Sequence, residues 1–110
     1  MLADMNRVVC LSLLLATASP AFAGAANFTL VNGTGGALSG VSIRRSGTSD
    51  WKPLAGAPGA VQFSDPDCAF DIRGSVGGSP VTWTGVNLCG AKSVTLKRDA
   101  AAGAWVDYDQ

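Results

Sequence analysis

From Asn27 onward the chain alternates apolar and polar residues in short runs, and Gly, Pro, Ser and Asp separate the runs. Period-two alternation over four to eight residues is the pattern of a half-buried β-strand. Residues 27–32 put Phe28 and Leu30 on one face and Thr29 and Val31 on the other. Past the turn Gly33-Thr34-Gly35-Gly36, residues 38–45 aim Val41 and Ile43 inward and Ser42 and Arg44 outward, so the two runs read as a hairpin. Residues 60–64 form a short strand with Val61 and Phe63 inward. In residues 68–73, Cys68, Phe70 and Ile72 share a face, and Asp71 and Arg73 occupy the other. Residues 74–80 read as a flexible turn.

In residues 81–89 the alternation shifts phase. Val81 and Trp83 belong to one set, Val86 and Leu88 to the other, and Gly85 sits at the change, which predicts a β-bulge or bend. Residues 92–98 turn Val94 and Leu96 inward. Residues 100–103 predict a turn or a short helical piece, and residues 104–108 a last strand. Residues 24–26 and 109–110 are expected to fray. Six or seven short strands at this spacing predict a small antiparallel β-sandwich or small barrel. Its core would hold Phe28, Leu30, Val41, Ile43, Val61, Phe63, Phe70, Ile72, Val86, Leu88, Val94 and Leu96.

The first 23 residues follow a different pattern. Arg7 precedes an apolar run over residues 8–18, Pro20 breaks it, and Ala21-Phe22-Ala23 offers small residues to a signal peptidase. Cleavage is expected after Ala23, with Ala26 the less favoured site. The run is shorter than the roughly 20 residues a permanent membrane anchor needs. Asp4 is foreign to such a leader and suggests a translation start at Met5, and Cys10 falls within the leader. Removing residues 1–23 of 110 leaves 87 residues, 24–110, as a single β-domain. That domain lacks Glu and His, and its seven Asp balance its seven Lys and Arg. The balance gives no electrostatic case for nucleic acid.

Two cysteines remain, Cys68 and Cys89. In an oxidising compartment they predict one disulfide, closing a loop of about 20 residues worth roughly 3 kcal/mol. Their spacing is too wide for a Cys-x-x-Cys redox pair, and no His completes a zinc site. The expected location is therefore periplasmic or secreted.

The order of motifs resembles a family of short exported bacterial β-sandwich proteins of unknown function. The likeness rests on Val31-Asn32-Gly33-Thr34-Gly35, Asp50-Trp51, Cys68-Ala69-Phe70-Asp71-Ile72-Arg73 and Asn87-Leu88-Cys89, and it spans most of residues 27–96. Phe70 stands where that family often has Tyr, and the turn at residues 74–80 lacks the family's acidic residues. The resemblance implies a fold and a compartment, and no activity.

Catalysis finds little material here. Without His or Glu, a nucleophile would have to rely on Ser with Lys or Asp alone, and no Gly-x-Ser-x-Gly motif occurs. Asp65 with Asp67, or Asp107 with Asp109, could offer oxygens to calcium, but neither pair resembles a calcium loop. Asp71 and Arg73 are expected to form exposed charge pairs with neighbours such as Arg44 or Lys97. Trp51, Trp83 and Trp105 are the candidate binding residues: two of them exposed together would make a carbohydrate or protein contact surface. Trp51 has a second reading, folded back over the edge of the core.

The expectation is a non-catalytic exported binding or interaction module with a protein or glycan partner, no cofactor and no metal. The alternatives are a structural or envelope-accessory protein without a small ligand, or a carbohydrate- or calcium-binding domain. Mass spectrometry of the exported protein should place its N-terminus at Gly24; an exported chain that still begins at Met1 or Met5 would contradict the leader assignment.

Overall fold

The computed structural model describes residues 24–109. The leader assignment, with Met1, Met5 and Cys10, lies outside the described residues. Among the described residues, eight strands follow in order: β1 Phe28–Gly33, β2 Leu38–Arg45, β3 Lys52–Pro53, β4 Gly59–Val61, β5 Ala69–Val76, β6 Ser79–Asn87, β7 Ser93–Asp99 and β8 Gly103–Asp109. Among the described residues, no helix is long and apolar enough to cross a membrane. The strands form two four-stranded sheets, ordered β4-β1-β7-β8 and β3-β2-β5-β6. Neighbours run antiparallel except β1 and β7, which are parallel, so the first sheet is mixed.

The core follows the alternation. Eleven of the twelve expected core side chains are buried, and Phe63 packs against the core partly exposed. Phe63 stands edge-on between Phe28 and Phe70, with ring centroids 5.9 and 5.3 Å away. Trp83, Leu54, Val76 and Val81 join the buried set. The indole N–H of Trp83 donates to the Lys97 carbonyl at 2.9 Å, which ties β6 in one sheet to β7 in the other. Burying the largest side chain available requires such a partner for its polar atom.

β1 and β2 do not form the expected hairpin. β1 pairs with β4 and β7, and β2 pairs with β3 and β5, so the chain between them crosses from one sheet to the other. The inward residues of both strands face each other across the core, and the same alternation serves either arrangement. A polar clasp shapes the crossing: the Asn32 side-chain oxygen accepts from the Thr34 N–H at 3.1 Å and the Thr34 hydroxyl at 2.6 Å, and its amide donates to the Gly36 carbonyl at 2.8 Å.

Most of residues 74–80 are strand, and the turn is confined to two residues. β5 runs on to the buried Val76, and only Gly77 and Gly78 lie between β5 and β6, with φ of 56° and 89°. Two consecutive positive φ values give the tight hairpin turn whose twist suits antiparallel strands. The short strand at residues 60–64 starts and stops earlier, at Gly59 and Val61. Residues 24–26 do not fray. Ala25 is buried and exchanges two backbone hydrogen bonds with Asp65, at 2.7 and 3.1 Å. Residues 100–102 form a plain turn, in which the Asp99 carboxylate accepts from the Ala101 and Ala102 N–H groups at 2.7 and 3.1 Å.

Cys68 and Cys89 are bridged, with Cα atoms 5.1 Å apart, just ahead of β5 and just past β6. The bridge lies at the rim, with Cys68 exposed and Cys89 half-buried, and so further from the core than the shared face with Phe70 and Ile72 implied. Opposite it the Leu88 N–H donates to the Cys68 carbonyl at 2.9 Å, which carries the β5–β6 pairing one step beyond the strands. Replacing both cysteines by alanine should lower unfolding stability by about 3 kcal/mol in a urea titration; an unchanged midpoint would show that the bridge constrains nothing.

Candidate site on the outer face of the second sheet

β2 and β5 lie side by side, with Arg44 opposite Asp71 and Ser42 opposite Arg73. Strand alternation places all four on the outer face, because the intervening Ile43 and Ile72 point into the core. β3 pairs its Lys52 with Ile43, which brings Trp51, the residue before it, alongside Arg44. The guanidinium carbon of Arg44 lies 4.5 Å from the Trp51 ring centroid, and that of Arg73 lies 4.1 Å away. Each contact is a cation–π pair of about 0.5–1 kcal/mol at a partly exposed site. Trp51 is therefore half-buried on the sheet's outer surface and does not cap the core.

Asp71 anchors this arrangement. It is only 5% exposed, although the sequence pattern placed it on a solvated face. Between Ile72, opposite Trp83, and Phe70, opposite Val86, the single Asp71 faces two residues of β6, Thr84 and Gly85. This is the bulge expected at Gly85, whose φ is 65°. Bulging leaves the Gly85 N–H outside the ladder, and Asp71 Oδ1 accepts it at 3.0 Å. The same oxygen accepts from the Ser46 hydroxyl at 2.7 Å, and Oδ2 takes the Arg44 Nε–H at 2.9 Å. Burial pushes the Asp71 carboxyl up, but the bonds from Gly85, Ser46 and Arg44 outweigh it and hold the group below the usual aspartate range. Of the two pairings expected for this strand, Asp71 with Arg44 forms, whereas Lys97 belongs to the other sheet.

Arg73 has no carboxylate partner among the described residues. Beside it lies a trough of about 340 Å³ edged by Ser39, Ser75 and Thr82. A separate cleft of about 380 Å³, with Ile43, Phe63 and Phe70 in its floor and Arg45, Asp50 and Lys52 on its rim, opens on the inner side of the same sheet edge and is not lined by Trp51. Trp51, held by both arginines, adjoins the outer-face trough through Arg73.

The other candidates are dispersed. Trp83 is 1% exposed in the core, so it contributes nothing to a contact surface. Trp105 is 39% exposed, but on β8 in the first sheet, opposite Lys97. No two tryptophans form the joint surface that the sequence suggested. Asp65 and Asp67, weighed as calcium ligands, both turn to the guanidinium of Arg45 at 3.2 and 3.1 Å. Burial raises the Asp65 carboxyl, and the Asp67 N–H and Arg45 together outweigh it and bring the group below its ordinary value. Asp107 and Asp109 stand opposite Thr95 and Ser93 on β7.

Sequence reasoning missed that Arg44, Trp51, Asp71 and Arg73 are one assembly. The usable signal was an Asp one strand away from the phase change at Gly85. Asp71→Asn should cost about 2 kcal/mol at neutral pH by weakening three hydrogen bonds. A carboxyl depressed in the folded state contributes fully above its unfolded pKa, and the contribution is lost as pH falls through the folded one. The stability gap between wild type and Asp71→Asn should therefore close in acid, and a gap independent of pH would contradict this role. Compared with models of known families, with characterised proteins and with solved structures, the chain matches none, so the reading of its function rests on this geometry.

Proposed function

We propose that this chain is an exported, non-catalytic interaction module, periplasmic or secreted, that engages its partner through the outer face of the second sheet. The observation that carries the reading is Trp51, set against Arg44 and Arg73 at 4.5 and 4.1 Å and left half-exposed on the outer face, where Arg73 lines a trough. Aromatic and arginine side chains are the residue types that dominate contact energetics, and they do so best when already fixed before binding. Here Asp71 fixes Arg44, and Arg44 in turn holds Trp51. The Arg73 guanidinium, with no carboxylate partner among the described residues, favours a partner that brings an anionic group to it.

The bridged cysteines and the lack of His and Glu support a binding role over catalysis, and the bridge with the expected leader supports export. In the resembling family of short exported proteins, the Asp-Trp and Asp-Ile-Arg motifs would then mark this same face. The immobilised protein should retain a partner from an envelope extract saturably. Trp51→Ala and Arg73→Ala should each reduce that retention severalfold while leaving the thermal midpoint within a few degrees of wild type. Absence of saturable retention would favour a structural accessory role, and retention indifferent to both changes would remove this face from the function.

A further inference from the structure

Four strands lie at sheet edges, and three carry devices that block pairing with another chain. β3 has two residues and ends in Pro53, and β4 has three and follows Pro58. β6 contains Pro80 and the Gly85 bulge. Short length, proline and bulges are how natural sheets blunt their edges. β8 has none of them. Its seven residues pair with β7 in unbroken register from Ser93 opposite Asp109 to Asp99 opposite Gly103. Its other side presents a regular row of backbone donors and acceptors.

We infer that β8 pairs with β8 of a second copy, antiparallel about a two-fold axis, and joins the two first sheets into one continuous sheet. The occupant follows from the residues on the strand. A two-fold axis perpendicular to the sheet keeps outer face beside outer face. Placed at Val106, the middle of β8, it overlaps all seven residues. Trp105 then faces the second copy's Asp107, Gly103 faces Asp109, and Ala104 faces Tyr108. Each large side chain meets a smaller one, and no like charges stand opposite.

Moving the axis to Asp107 would set that carboxylate against itself, which is unfavourable in a cross-strand pair. Moving it to Trp105 would leave only residues 103–107 of the strand paired. In the full register one row across the seam reads Lys97, Trp105, then the second copy's Asp107, Thr95 and Val31. The two exposed apolar side chains of this face, Val31 and Trp105, thus come into the same row. The chain's formal net charge is zero, so two copies approach without overall repulsion. This surface is on the opposite sheet from Trp51, and the inference does not rest on the binding role proposed above.

The register supplies its own test. Sedimentation equilibrium of the purified, disulfide-bonded protein should show a monomer–dimer equilibrium that stops at the dimer. Trp105→Asp would place two pairs of carboxylates opposite each other and should leave the protein monomeric over the same range. Trp105→Lys removes the same indole and places an ammonium opposite each Asp107. It should dimerise about tenfold or more tightly than Trp105→Asp, with the difference shrinking in high salt. The two variants carry net charges of equal size, so general repulsion cannot separate them. Amide hydrogen exchange provides a second readout, because protection along β8 should rise with protein concentration. A monomer at every concentration, assembly that continues past the dimer, variants that behave alike, or β8 protection independent of concentration would each overturn the inference.

Discussion

The hydrogen bond from the Gly85 N–H to the carboxylate of Asp71, at 3.0 Å, is the interaction on which the rest of this structure turns. Without a bulge at that point, β6 could bury Val81 and Trp83 or Val86 and Leu88, but not both pairs. With it, all four are in the core. A bulge leaves a backbone donor outside the ladder, and here Asp71 takes it in place of solvent. With its remaining capacity the carboxylate takes Arg44 and Ser46. One carboxylate thus sets the phase of a core strand on one side of the sheet and the position of the Trp51 assembly on the other. The strongly hydrogen-bonded environment explains how an acidic side chain can be this buried in a small domain and remain ionised.

Much of the fold was legible because alternation reports which face a residue takes. The buried residues of β1, β2 and β7, and Phe70 and Ile72 of β5, follow directly from it, as does the bulge at Gly85, whereas the disulfide follows from the cysteine count. What alternation cannot report is which sheet a strand joins. Phe28 and Leu30 would be buried whether β1 lay beside β2 or opposite it, so the crossing at residues 34–37 leaves no trace in the alternation. It also cannot show that Ala25 is tied down, because one buried methyl and two backbone hydrogen bonds leave no periodic trace. The candidate site was legible only in its parts. Trp51 and the Asp71–Arg44 pair could be singled out separately, but their meeting depends on a two-residue edge strand, β3, too short to register as a pattern.

The tryptophans show how far residue type alone can mislead. Three in a small domain suggest a binding surface, yet each has a different task. Trp83 joins the sheets from inside through its bond to the Lys97 carbonyl. Trp51 lies against two arginines on one outer surface, and Trp105 stands on the other beside an unprotected edge. A small sandwich has two solvent-facing sheets, and here each offers its own aromatic contact point. The Trp83 bond joins the two sheets, and the disulfide staples β5 to β6 within one of them.

The coupling of core phase to surface assembly can be measured at a single atom pair. Gly85 is itself exposed, so its N–H should exchange with solvent as freely as an unstructured glycine unless Asp71 holds it. In amide hydrogen exchange followed by NMR, the Gly85 N–H should be protected nearly as well as the core amides of β5, and Asp71→Ala should abolish that protection selectively. A Gly85 amide that exchanges at the rate of a free loop in the wild-type protein would contradict the central place given to this bond.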